Sequence, residues 1–212
     1  MDFGKAAADI FNKYANEYQE RFMDVSLYHS SLNLFCENIT KQNASVFELA
    51  CGPGNITKYL LTQKPDLQIT GTDLAPNMIE LAKQNNPSAK FHVMDCRDLD
   101  SINNVYDAIM CGFCLPYLNK NETVTLINTC SRLLHNNGVI YISTMIEDAN
   151  NKTGFQTGSK GDSVLMNFHR TDDLKSTLTK NGFDVVHEIY QDFPNSEEKR
   201  YTDLILIAKK QS

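Results

Sequence analysis

The chain has 212 residues, 42% of them hydrophobic, enough to bury one sizeable core and too few for two well-separated domains of ordinary size. Its formal net charge of -6, from 26 acidic and 20 basic residues, gives a field that repels phosphate backbones, and no Lys/Arg cluster offsets it, so nucleic acid is disfavoured as a partner. The longest apolar runs are far shorter than a membrane span, MDFGKAAADIFNKY lacks an apolar signal core, and cysteines at 36, 51, 96, 111, 114 and 130 have no disulfide-framework spacing; a soluble cytoplasmic protein with reduced thiols is expected.

Phe3, Ala7, Ile10, Phe11, Tyr14 and Tyr18 recur at helical spacing, and a second apolar series runs through Leu27, Leu34 and Phe35. Two or three helices within residues 1-43 are expected to cap the remainder of the chain. From Ser45, strand-like runs alternate with helical ones: SVFELA, NITKYLLTQ, LQITGTD, PNMIELAKQN, AKFHVMD, VYDAIMCG, ETVTLINTCSRLLH and VIYISTM, with an Asn136-Asn137-Gly138 turn before the last. Such alternation predicts right-handed crossovers and a mostly parallel sheet with helices on both faces, an α/β Rossmann-like fold over 45-210.

After Met145 the alternation breaks. Residues 147-170 contain EDANNKTGFQTGSKGD, rich in Gly, Asn, Lys and Thr, and read as a flexible surface loop or as the cover of a binding site. A helix is predicted over about Thr171 to Asn181, with Thr171 as N-cap and Gly182 as its stop. FDVVHEIYQDF and YTDLILIAKK then form an antiparallel hairpin across NSEEKR. The whole of 1-212 is taken as one domain.

The segment Val46 to Asn55 carries the chemistry: an apolar strand ending in an acidic residue, then a Gly-rich turn into a helix. Gly52 and Gly54 let the backbone turn sharply and approach a ligand where helix-start N–H groups point outward, at the carboxyl end of a strand. A dinucleotide turn would need a third glycine where Thr57 stands, and no Gly-Lys-Ser/Thr follows for a phosphate loop. A carboxylate at Glu48 would repel a pyrophosphate and attract a cationic ligand such as an ammonium group.

Glu48-Leu49-Ala50-Cys51-Gly52-Pro53-Gly54 resembles the E/D-x-G-x-G-x-G motif of class I S-adenosylmethionine-dependent methyltransferases, with Ala50 in place of the first glycine. The resemblance extends over Ser45 to Lys210. It implies a seven-stranded sheet of order 3-2-1-4-5-7-6 with strand 7 antiparallel, and S-adenosylmethionine as methyl donor. It also implies that Asp73 accepts from the ribose hydroxyls, that Leu74 packs beside the adenine, and that Asp95 accepts from the adenine amino group. Beside these, the N–H of Cys96 reaches a ring nitrogen, Met78 gives an apolar wall, and Cys111, Gly112 and Phe113 line the methionine end and the acceptor entrance. FNKYANEYQERF resembles the N-terminal helix of many small-molecule members, which implies a lid bringing Tyr14, Tyr18 and Arg21 toward the donor's methionine carboxylate.

With no basic tract or recognition domain, a small-molecule acceptor is expected; alternatives are a non-catalytic S-adenosylmethionine-binding regulatory subunit, or methylation of protein or RNA. His169, ahead of the late helix, is the candidate catalytic base. Cys111-Gly112-Phe113-Cys114 has the form of a dithiol redox motif but overlaps the fourth-strand motif, and no metal-ligand spacing accompanies it.

Overall fold

The computed structural model describes residues 2–149, 151–158, 160–193 and 201–212. Helices α1 (Phe3–Lys13), α2 (Ala15–Phe22) and α3 (His29–Asn38) precede the first strand, as the apolar spacing predicts. Asp2 caps α1 by accepting the Lys5 N–H at 3.0 Å, and α1 and α2 are separated only by Tyr14, whose φ of -112° breaks the helical path.

Seven strands form the main sheet: β1 (Ser45–Leu49), β2 (Gln68–Asp73), β3 (Lys90–Val93), β4 (Tyr106–Gly112), β5 (Leu134–Met145), β8 (Phe183–Phe193) and β9 (Tyr201–Lys210). Their order is β3-β2-β1-β4-β5-β9-β8, parallel through β5, with β9 antiparallel to both neighbours. This is the expected arrangement with the last two strands renumbered, because a separate two-stranded hairpin, β6 (Gly154–Thr157) and β7 (Ser163–Met166), precedes them. The NSEEKR connection lies outside the described residues.

Alternation along the strands splits the core in two, because successive side chains point to opposite faces. Phe47, Leu49, Ile109, Ile140, Leu204 and Leu206 pack under α6 (Lys120–Leu133) and α7 (Thr171–Lys180). Val46, Ala108, Met110, Tyr141, Ile205 and Ile207 pack under α3 and α4 (Asn55–Gln63), against Leu32, Phe35 and Leu60. The remaining crossover helix, α5 (Pro76–Asn85), lies over β2 and β3.

Two local expectations are corrected. The 147-170 stretch is not a plain loop: β6 and β7 pair, and the hairpin holds α1 through Asp162 Oδ2, which accepts from Tyr14 Oη at 2.7 Å and Lys13 Nζ at 3.1 Å, and through an edge-on contact of Phe155 with Phe3. Turn-type residues gave no alternating apolar signal because both strands of the hairpin are largely solvated. Thr171 is the first helical residue of α7, and the N-cap is Arg170, without a side-chain bond; Gly182, at φ +77°, does end the segment.

Candidate functional site

The turn after β1 is built from left-handed backbone. Ala50, Gly52 and Gly54 have φ of +50°, +53° and +79°, a conformation that costs glycine nothing and a Cβ-bearing residue about 1–2 kcal/mol. Gly54 caps α4, and a Cβ there would sit 2.3 Å from Asn86 Nδ2, which donates to the Gly54 carbonyl at 2.9 Å. At Gly52 a Cβ would meet only Tyr18 Cε1, at 3.8 Å, so this residue faces open space.

The turn is tied to the end of β2. The Cys51 N–H donates to the Thr72 carbonyl at 2.9 Å, and the Gly52 N–H donates to Asp73 Oδ2 at 2.9 Å. The Ala75 N–H donates to Asp73 Oδ1 at 2.8 Å, so each carboxylate oxygen receives one backbone donor and keeps a lone pair. Burial pushes the Asp73 pKa up, against the pull of these N–H groups.

Over these strand ends lies a cavity of about 810 Å³ of atom-free space. Ala50 and Gly52 form one wall, Asp73, Leu74 and Met78 a second, and Met94, Asp95, Cys96 and Arg97 a third. Gly112, Phe113 and Cys114 line the β4 side. Helix α1 lies across it with Gly4, Ala7, Ala8 and Phe11, whose small members bring the helix close. Arg97 fastens this cover: its guanidinium reaches Asp95 Oδ2 at 2.6 Å, Asp2 Oδ2 at 2.8 Å and Glu122 Oε1 at 3.3 Å. The same contact holds the Asp2 carboxyl down to about 2.

A second, larger cavity of about 1670 Å³ adjoins the first, and Phe11, Tyr18, Phe113 and Tyr117 line both. Phe113 stands at the junction at φ +53°, its N–H donating to Ser143 Oγ at 3.0 Å. Tyr28 packs edge-on to Phe113, with centroids 5.3 Å apart, and its hydroxyl donates to Asp203 Oδ2 at 2.7 Å. Burial pushes Asp203 up to about 6.

Of the residues expected from sequence, Tyr18, Ala50, Gly52, Asp73, Leu74, Met78, Asp95, Cys96 and Phe113 line the first cavity. The other residues expected there lie off the wall of the first cavity. Tyr14 points to Asp162 in the hairpin, because it sits at the break between α1 and α2; Arg21 lines the second cavity instead of the first. Glu48 is buried beneath the turn, where it accepts from the Thr57 hydroxyl and burial raises its pKa to about 8, so it does not reach the cavity wall. Gly54 serves the α4 cap.

Cys111 faces α6, on the opposite side of the sheet from Met110, by strand alternation. Cys114 lines the cavity instead, its Sγ 3.4 Å from that of Cys96. His169 is buried, its Nε2 2.9 Å from the Leu115 carbonyl, and opens on a separate cavity beside Lys120, Glu147 and Asp173. Burial lowers its pKa, and the structure brings it to neither of the adjoining cavities.

Sequence reasoning missed Arg97, Tyr117, Tyr28 and Asp203. Asp203 did leave a signal: a lone acid inside the apolar run YTDLILIA, on a strand whose following residues are buried. Among the described residues, no group of three or more His, Cys, Asp and Glu side chains is placed to hold a metal, and no helix is long and apolar enough to cross a membrane.

A family model described as a methyltransferase domain matches residues 46–138. Protein 235L of Invertebrate iridescent virus 6, named as a methyltransferase, is 28% identical over 175 residues, 82% of this chain and 63% of the relative. A malonyl-[acyl-carrier protein] O-methyltransferase of Priestia megaterium is 32% identical over 117 residues, 53% of this chain and 42% of the relative. The matched part thus spans less than two thirds of the length of either. Among solved structures, the 1,6-didemethyltoxoflavin-N1-methyltransferase of Burkholderia thailandensis, with bound 1,6-didemethyltoxoflavin and S-adenosylhomocysteine, superposes with a TM-score of 0.74. The match covers 100% of this chain and 91% of that one at 19% identity, a likeness of fold.

Proposed function

We propose that this chain, which belongs to the class I S-adenosylmethionine-dependent methyltransferase family, binds S-adenosylmethionine in the first cavity and methylates a small molecule held in the second. The observation that carries the reading is the Asp73 carboxylate, fixed between the Gly52 and Ala75 N–H groups on the wall of a cavity that shares Phe113 with a larger neighbour.

The residues fit the donor. Asp73, with one lone pair left on each oxygen, suits two adjacent ribose hydroxyls. Asp95, Cys96, Leu74 and Met78 would hold the adenine, with Asp95 aligned by Arg97. Gly52, with no side chain, leaves room for the chain of the methionine moiety, and Tyr18 covers it.

When bound, S-adenosylmethionine supplies a sulfonium methyl that is already an activated electrophile. What remains for the protein is to align a nucleophile and exclude water. Phe11, Tyr18, Phe113 and Tyr117 do both, since they form the shared wall through which donor and acceptor would meet. The Priestia and Burkholderia relatives are named for different acceptors, so the acceptor class is read from this chain's own second cavity.

In this reading residues 1-43 are a cap, 45-210 the core, and the 147-170 insert acts on the site through α1, which it braces and whose Phe11 lines both cavities. Six unpaired cysteines, five of them buried, support a reducing compartment, and we place the protein in the cytoplasm.

The acceptor class is tested with methyl-labelled S-adenosylmethionine and a cell extract separated into small-molecule, protein and RNA fractions. Label entering the small-molecule fraction supports the reading. Label confined to precipitated protein or RNA contradicts it.

A further inference from the structure

Asp203 sits near the start of β9, opposite Met145 of β5, on the sheet face it shares with Tyr141, Ser143 and Tyr201. The residue is 1% exposed and lines the second cavity. Its Oδ2 is taken by the Tyr28 hydroxyl at 2.7 Å, whereas its Oδ1 is buried and has no hydrogen-bond partner among the described residues. A buried carboxylate oxygen without a donor costs more than an ordinary hydrogen bond contributes, so the arrangement is favourable only once something donates to it.

The surroundings narrow the donor. Phe11 packs edge-on to Tyr117 at 5.1 Å and Tyr28 edge-on to Phe113 at 5.3 Å, which gives the cavity flat aromatic walls. Asp24 also lines it, opposed by the single cation Arg21 among the described lining residues, so a second carboxylate on a ligand would be repelled near Asp203. Burial pushes the Asp203 pKa up to about 6, still below neutral pH, where the ionised form, which only accepts, is the major one.

We propose that Asp203 is the acceptor-recognition residue of this site: its free Oδ1 accepts from an N–H or O–H of a flat, largely apolar molecule that carries no negative charge and packs against Phe113. The inference rests on reading the second cavity as the acceptor site. It makes Tyr28 a positioning residue, which fixes the carboxylate through Oδ2 and leaves Oδ1 aimed inward.

The test is calorimetric binding of 2-naphthol, 2-naphthylamine and 2-methoxynaphthalene to the full chain, with and without saturating S-adenosylhomocysteine. The two donor-bearing probes are expected to bind about tenfold or more tighter than the methyl ether, the ratio of a hydrogen bond to a charged group. Asp203→Leu should erase that ratio while leaving S-adenosylhomocysteine binding intact, which also checks folding. Asp203→Asn, with Tyr28 on its carbonyl and an amide N–H turned inward, should abolish or invert the ratio.

Equal binding of the three probes by the wild type, no binding of any, or a ratio unchanged in both variants would overturn the proposal. Loss of S-adenosylhomocysteine binding by the wild type would instead count against the donor-site reading, because the probe ratio is measured without it as well.

Discussion

The backbone amide of Gly52 donates to Oδ2 of Asp73 across 2.9 Å, which joins the turn after β1 to the end of β2. The bond forms on the left-handed backbone of the turn, so the shape of the first cavity and the aim of Asp73 are set together.

Two glycines of this turn should respond differently to a methyl group. Gly54→Ala places a Cβ 2.3 Å from Asn86 Nδ2 and 3.3 Å from the Ala82 backbone, besides the cost of φ +79°. Gly52→Ala carries the cost of its φ alone, about 1–2 kcal/mol. Urea unfolding should show Gly54→Ala as the more destabilised, whereas Gly52→Ala should lose more donor affinity, because its methyl enters the cavity.

Ala50 stands at φ +50° where the family motif has glycine. Ala50→Gly should relieve about 1–2 kcal/mol of backbone strain against about 0.4–1 kcal/mol of unfolded-state entropy. The expected net is a stabilisation between zero and about 1.6 kcal/mol in denaturant unfolding, the reverse of the usual effect of glycine. A loss comparable to other core Ala→Gly changes would contradict the strain at this position.

Glu48 predicts a pH dependence. Burial holds its folded pKa at about 8 against an ordinary 4.5, so between those values the folded chain keeps a proton that the unfolded chain releases. Stability from this group is complete below about pH 4.5 and declines as the pH rises through 8; Asp203, at about 6 against 3.8, adds a decline of the same sign at lower pH. Glu48→Gln keeps an acceptor for Thr57 and should flatten the fall in melting temperature between about pH 6 and 8. An unchanged slope would show that Glu48 is not the titrating group.

The parts of this molecule set by local chemistry are open to sequence reading. Strand ends and the glycine turn follow from periodicity and turn geometry within a few residues, Asp73 and Asp95 are marked by the family resemblance, and Ala50, Gly52, Asp73 and Asp95 fall on the cavity wall. Residues whose direction depends on distant contacts are not readable in this way. Tyr14 turns away because Asp162, 148 positions along, accepts its hydroxyl; Cys111 and Cys114 exchange roles because the strand ends between them. Only residue type points to His169 in the sequence, and the Leu115 carbonyl takes its ring nitrogen. The second cavity combines α1, α2, the segment around Tyr28, and strands β5 and β9, a convergence no single stretch of sequence announces.

Arg97 should act on the cover more than on global stability. Its pairs with Asp2, Asp95 and Glu122 are partly exposed, each worth about 0.2–1 kcal/mol after solvent screening. Arg97→Met should therefore lower the unfolding free energy by no more than about 0.6–3 kcal/mol in all, yet speed proteolytic cleavage in α1 and weaken S-adenosylhomocysteine binding about tenfold by freeing Asp2 and misaligning Asp95. Protection of α1 equal to wild type would contradict this role.

The most direct measurement is calorimetric binding of S-adenosylmethionine and S-adenosylhomocysteine to the wild type and to Asp73→Ala, with NAD as control. Binding of both sulfur ligands is predicted, none of NAD, and a loss of at least about tenfold in the variant, the value of a hydrogen bond to a charged group. A folded wild-type protein that binds neither ligand, or an Asp73→Ala variant that binds them as tightly, would contradict the assignment of the first cavity to the methyl donor.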